Sequence, residues 1–280
     1  MGGGGAVALG GAAVVGGTLV RTGMVAGPDR IARAAGACAG SAPGGASPGP
    51  VVEGSFDSEA RGRRVGWSIA YPPGTSPGAR LPVCLVLHGR GAGHRTAFAT
   101  LGLNGYLGPA RPIALASVDG GDAYWHPRSG GDDPLAMLTG ELLPLLARRG
   151  LAVDRFGVHG WSMGGFGALL LGQELPGRVA AVAAASPALW TSFADSTPGS
   201  FDDEADWRRW GRLDRVDQLA GIPVRIDCGT GDPFAHAVRA LARRLPDGAR
   251  VEVASGCHND TFWRGRAPDQ LAVIARALTP

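Results

Sequence analysis

The chain has 280 residues and a mass of 28.5 kDa, which fits one large domain with a tail or two small domains. A content of 45% hydrophobic and 18% charged residues excludes wholesale disorder, and a net charge of +3 gives no reason to expect a nucleic-acid binder. All 27 basic residues are arginine, which excludes lysine-based chemistry such as Schiff bases and P-loops, and the four cysteines (Cys38, Cys84, Cys228 and Cys257) show no CxxC spacing for zinc; neither a metal nor a cofactor is expected.

From Met1 to Val20 there is no charged side chain. The run is rich in Gly and Ala and has too few large aliphatics for a membrane span. It resembles the apolar core of a secretory signal without the preceding positive segment, and weakly hydrophobic, Gly-rich cores are typical of twin-arginine signals. Export, with cell-envelope association as one outcome, is the expectation; a leader with no targeting role is the alternative. Residues 39–50 form a Ser/Pro/Gly/Ala linker that cannot bury a core of its own. The domain reading is therefore a leader and linker over 1–50 and a folded domain over 51–280.

Beyond Val51, short runs of Val, Ile and Leu alternate with longer helical patterns, which predicts an α/β architecture. Strands are expected at 64–70, 82–87, 113–118, 155–160, 179–184, 224–228 and 250–254. Helices are expected at 134–149, 163–175, 234–245 and 268–277. Pro134, Pro233 and Pro268 each sit where a helix start tolerates the missing N–H, and Asp133 and Asp232 are candidate N-caps. Strands from Pro82 onward read as buried on both faces, as in a parallel sheet.

Gly160-Trp161-Ser162-Met163-Gly164 is a G-x-S-x-G pattern placed after an apolar strand and before a helix. A nucleophile elbow requires that strand–turn–helix context; a structural Gly-rich turn is the alternative. His88-Gly89-Arg90-Gly91 follows the strand 82–87. The backbone N–H of Arg90, with that of Met163, is expected to stabilise an oxyanion, while His88 is read as a brace for its own loop. A serine needs a base oriented by a carboxylate. His258 alone among six histidines lies after the last predicted strand, so it is the expected base. Asp232, in the loop after the strand 224–228, is the expected acid. Asp227 competes from within that strand, and Asp260 lies too close to His258 in sequence. Tyr124 and Trp125, after the strand 113–118, fit either a substrate wall or the packing of their loop. Asp119 and Asp122 have no further ligand spaced to join them around a metal. Aromatic residues of the segment 187–221 suit a small helical flap or a helix packed on the sheet. Cys228 and Cys257 end two strands expected to be neighbours; a disulfide between them and two separate buried thiols are both open.

The stretches HGRG at 88–91, GWSMGGFGAL at 160–169, GTGDPF at 229–234 and GCHNDTFW at 256–263 resemble the Putative esterase family of α/β-hydrolases. That family includes esterase D-type S-formylglutathione hydrolases and secreted mycolyltransferase antigens. The resemblance runs from about Val51 to Leu278. It implies an α/β-hydrolase fold without a large lid domain, with Ser162, Asp232 and His258 as nucleophile, acid and base and no cofactor. Trp263, the aromatic that follows the histidine, joins Tyr124 and Trp125 as a candidate substrate contact. The sequence departs from the mycolyltransferases in its HGR loop and in having Asp as the expected acid. A serine esterase or acyltransferase acting on a small-molecule or lipid ester is the expectation. A non-catalytic envelope binding protein on the same fold is the alternative.

Overall fold

The computed structural model describes Cys38, residues 42–211 and residues 215–279; the uncharged leader run lies outside them. Eight strands form one sheet: β1 (Val51–Ser58), β2 (Arg63–Ala70), β3 (Pro82–Leu87), β4 (Ala114–Val118), β5 (Ala152–Trp161), β6 (Val179–Ala185), β7 (Val224–Gly229) and β8 (Arg250–Ala254). Their order is β1-β2-β4-β3-β5-β6-β7-β8. The β1–β2 and β2–β4 pairs are antiparallel, and every pair from β4 to β8 is parallel.

The parallel strands are apolar on both faces because helices cover both faces. On one face Val83, Leu85, Leu87, Val158, Val182 and Ile226 meet the helices that follow β4, β5 and β7. These are a continuous helical run with a π-helical middle, Pro134–Ala136, Met137–Leu142 and Leu143–Arg148 (α1), then Met163–Glu174 (α2), and beyond β7 Ala235–Ala242. On the other face Cys84, Val86, Leu115, Ala181 and Ala183 meet Leu271 and Ile274 of the C-terminal helix Asp260–Leu278. The sheet bends the chain so that every loop at a carboxyl end, after β3, β4, β5, β6, β7 and β8, opens on one side, where ligands bind in open α/β sheets. Between β6 and β7 the chain forms a short helix, Glu204–Trp210 (α3), and no large lid. With the helix Ala235–Ala242 as α4, the C-terminal helix is α5.

Three sequence expectations need correction. The strand β1 was not expected; its residues alternate between exposed and half-buried at the sheet edge, so the sequence VVEGSFDS carries no apolar run. Pro268 does not start the last helix but lies inside it. That helix begins at Asp260, capped by the Asn259 side chain accepting from the Phe262 N–H at 2.9 Å. Residues 42–50 are docked rather than loose. The Ala46 N–H donates to Gly105 O at 2.9 Å, the Tyr106 hydroxyl donates to Pro43 O at 2.8 Å, and the Tyr71 N–H donates to Pro50 O at 3.0 Å.

A buried polar relay joins the sheet to α5. Asp227 receives Arg225 Nε at 2.8 Å and Gln270 Nε2 at 2.7 Å. The Gln270 Oε1 therefore faces His159 Nε2 at 2.9 Å as an acceptor, which fixes the Nε2–H tautomer. Nδ1 of His159 is buried without a partner. Burial, opposed only by Gln270, pushes this imidazole down from 6.5 to about 4, because a second proton would place an unpaired charge in the core. Since the folded value lies below the unfolded one, the unfolded chain binds the proton first on acidification. Stability should therefore be lost as pH falls from about 6.5 towards about 4, by roughly 3 kcal/mol from this group. Thermal unfolding across that range should show a shallower acid decline in His159→Gln than in the wild type.

Candidate active site

Ser162 sits between β5 and α2 with φ 55° and ψ −120°, a conformation that costs a non-glycine residue about 1–3 kcal/mol. The neighbours dictate it. A Cβ at Gly160 would strike the Gly164 carbonyl, and one at Gly164 would strike the Leu87 carbonyl. The turn is thus closed against its own helix and against β3, and only glycine fits at both positions. The Ser162 N–H donates to Ala185 O at 2.9 Å, and its carbonyl accepts from Phe166 N at 3.1 Å and Ala188 N at 3.0 Å. The hydroxyl is left to face the open side. Met163 opens α2, so its N–H has no intrahelical acceptor.

His258 lies in the loop after β8, with Nε2 2.9 Å from Ser162 Oγ and Nδ1 2.9 Å from Asp232 Oδ2. Asp232 is buried and its other oxygen accepts from Phe234 N at 2.9 Å, so one carboxylate both shapes the start of α4 and holds the imidazole. The expected N-cap duty does not fall to Asp232: the N-cap of α4 is Phe234, with no side-chain cap, and Asp232 lies two residues before it. Asp227 is taken up by Arg225 and Gln270, and His236 is exposed on α4. Asp260 is the exposed first residue of α5.

The loop His88–Gly91 faces the elbow across β3. His88 is fully buried; Nδ1 lies 2.8 Å from Gly89 O and Nε2 accepts from Gly120 N at 2.8 Å. Burial lowers its proton affinity, so it is a neutral brace linking two loops, as expected. Asp122 accepts from Gly91 N at 2.7 Å, and Asp119 accepts from the N–H of His94 at 2.7 Å and of Gly66 at 3.0 Å. Both carboxylates thus pin backbone. The Arg90 side chain is exposed.

The family model described as Putative esterase matches residues 58–269. The chain belongs to this family. A curated relative, the iron(III) salmochelin esterase of Escherichia coli O6:H1 (strain CFT073), is 26% identical over 176 residues, covering 58% of this chain and 42% of the relative. The chain thus spans less than half the length of that relative. Among solved structures, an S-formylglutathione hydrolase from Agrobacterium tumefaciens aligns with a TM-score of 0.69 at 20% identity, covering 85% of this chain and 99% of that one. MPT51 of Mycobacterium tuberculosis aligns with a TM-score of 0.66 at 18% identity, covering 82% and 99%. At these identities the structural likeness establishes the α/β-hydrolase fold.

The candidate substrate contacts separate. Trp125 has no exposed surface and fills the space beside Gly120, Gly167 and His88. It packs its loop and walls no cleft. Tyr124, 3% exposed, packs on Phe166, Trp190 and Phe201. Trp263 stands perpendicular to His258 with centroids 5.0 Å apart, in an open cleft of about 540 Å³. Phe234 approaches the imidazole from another side at 5.3 Å and meets Trp190 at 5.6 Å. Sequence reasoning passed over Phe234, although it lies two residues from Asp232. It also missed His126, which stacks on Phe201 and Trp210 and whose Nε2 and Nδ1 lie 3.0 Å from the carbonyl oxygens of Ser200 and Pro127. His126 therefore ties the loop after β4 to the segment that carries α3.

Of the two options left open for Cys228 and Cys257, neither holds for Cys257. Cys257 is bonded to Cys38, with Cα atoms 5.1 Å apart, and Cys228 is a buried free thiol. A buried thiol beside β8 needs no bridge, while Cys38 reaches Cys257 from a segment 219 residues earlier. Because His88 satisfies a carbonyl and an N–H in a dry site, His88→Ala should destabilise the fold by about 3 kcal/mol, a carbonyl and an amide each losing a partner. Urea unfolding monitored by circular dichroism checks this.

Proposed function

We propose that this esterase works through an acyl-enzyme, with Ser162 as nucleophile, His258 as general base and Asp232 as the acid that orients it. The observation that carries the reading is the unbroken hydrogen-bonded chain from Asp232 Oδ2 through His258 to Ser162 Oγ, each link 2.9 Å. Ser162 Oγ attacks the ester carbonyl as His258 Nε2 takes its proton. The resulting oxyanion is held by the N–H groups of Met163 and Arg90. Collapse of the tetrahedral intermediate expels the alcohol, which receives the proton from His258, and leaves the acyl group on Ser162. Water, activated by the same imidazole, attacks in turn and releases the acid. Asp232, accepting from Nδ1–H throughout, keeps Nε2 free to accept and stabilises the imidazolium once it forms.

The surround supports an ester with an apolar portion. Phe234 and Trp263 meet the imidazole edge to face, and Trp190 packs in turn on Phe234. Small-molecule and lipid esters both fit such a cleft. We also propose that the protein works outside the cytoplasm. The Cys38–Cys257 disulfide supports this, because reducing compartments rarely keep such bonds.

Two measurements test the mechanism. A fluorophosphonate should label the wild type once and Ser162→Ala not at all; undiminished labelling of that variant contradicts the assignment. His258→Ala should lower kcat by about 10³-fold or more, while His236→Ala should leave it within about twofold.

A further inference from the structure

The parts of the site are supported unequally. Ser162 follows β5 and Asp232 follows β7, both interior strands of the sheet. His258 follows β8, an edge strand whose residues are only half-buried or exposed and which pairs with β7 alone. The loop after an edge strand is the one most free to move relative to the other two. Its backbone contacts reach the loop after β7 and its own next turn. Gly256 O accepts from Gly231 N at 2.9 Å, and Asn259 N donates to Cys257 O at 3.0 Å. Gly256 has φ 150°, and a Cβ there would strike the Phe262 ring.

Against that background the covalent bond stands out by its position. Cys257, fully buried, is the residue immediately before His258, and its sulfur is joined to Cys38. Cys38 is half-exposed and lines the same open cleft as His258, Asn259, Asp260, Thr261 and Trp263. The disulfide thus fastens the histidine loop from outside the sheet, at the cleft itself. We propose that the Cys38–Cys257 disulfide is a positioning element for His258: it holds the imidazole in register with Ser162 and Asp232, so that ester hydrolysis depends on the bridge being intact. This role rests on the acyl-enzyme reading above. A dithiol would open the bridge by donating two electrons and two protons, leaving thiols at Cys38 and Cys257 and becoming a disulfide itself. Cys84 and Cys228 are buried free thiols, so among the described residues the bridge is the one disulfide on which the reagent acts. A misplacement of about 1 Å in a reacting group is worth up to about 10²-fold in rate, which sets the scale of the effect.

The test uses the full chain in three forms: oxidised wild type, wild type reduced with dithiothreitol, and Cys38→Ser. Hydrolysis of a p-nitrophenyl ester and the rate constant of fluorophosphonate labelling are measured at a temperature where circular dichroism shows all three folded. We expect kcat and the labelling rate constant to fall together by about tenfold or more on reduction, with KM within about threefold. Reoxidation should restore the reduced wild type, and Cys38→Ser should stay slow whatever the thiol state. Equal kcat in all three forms, with only the melting temperature lowered, would overturn the positioning role and leave Ser162 dependence intact. Titration of four free thiols in the unreduced protein would overturn it outright. A wild-type rate from oxidised Ser162→Ala would instead overturn the acyl-enzyme reading, and this role with it.

Discussion

The strained turn at Ser162 is the constraint on which the rest of the structure depends. A residue with a side chain is held at φ 55° because β5, β3 and α2 converge there so closely that glycine is required on either side. The strain, about 1–3 kcal/mol, persists because α2 is buried along almost its whole length and because the Ser162 backbone is hydrogen-bonded to β6 and to the chain beyond it. Packing energy far from the hydroxyl therefore holds the hydroxyl outward. The other site loops are arranged around that fixed point by the common direction of the parallel strands.

Histidine serves four different ends in this fold, and burial decides among them. His88 and His159 are sealed in apolar surroundings, where burial disfavours the charged ring, and each is fixed in one tautomer by a partner that can only donate or only accept. His126 is stacked between aromatics and joins two loops. His258 remains half-exposed and has a carboxylate on one nitrogen and a hydroxyl on the other. Only that setting leaves a ring nitrogen facing a group that can give up a proton in the open cleft. The polar relay from His159 to Arg225 lies behind the elbow and braces α5 against the sheet.

Much of this was legible in the sequence because the decisive signals are local. The glycines around Ser162, the Gly-rich loop after β3 and the loop aspartate after β7 each encode a backbone geometry within a few residues. The parallel strands were legible too, since burial on both faces leaves uninterrupted apolar runs. What escaped depends on contacts distant in sequence. The edge strand β1 has no apolar run to announce it, and Pro268 looked like a helix start because the Asn259 cap nine residues earlier competes with it. For Trp125 the sequence left a cleft wall and loop packing both open, and its burial beside Gly120 and Gly167 decides for packing. The partner of Cys257 could not be inferred at all, because it lies 219 residues away, just before a linker whose composition gave no sign of docking.

The central claim is that an acyl group passes through Ser162. The most direct measurement is mass spectrometry of the protein quenched in acid during turnover of a slowly hydrolysed ester, followed by peptide mapping. The account expects a mass increase equal to the acyl group on the peptide containing Ser162, appearing within the first turnover and disappearing once substrate is exhausted. An acyl adduct on any other residue, or steady hydrolysis of a substrate whose deacylation is rate-limiting with no adduct at all, would contradict it.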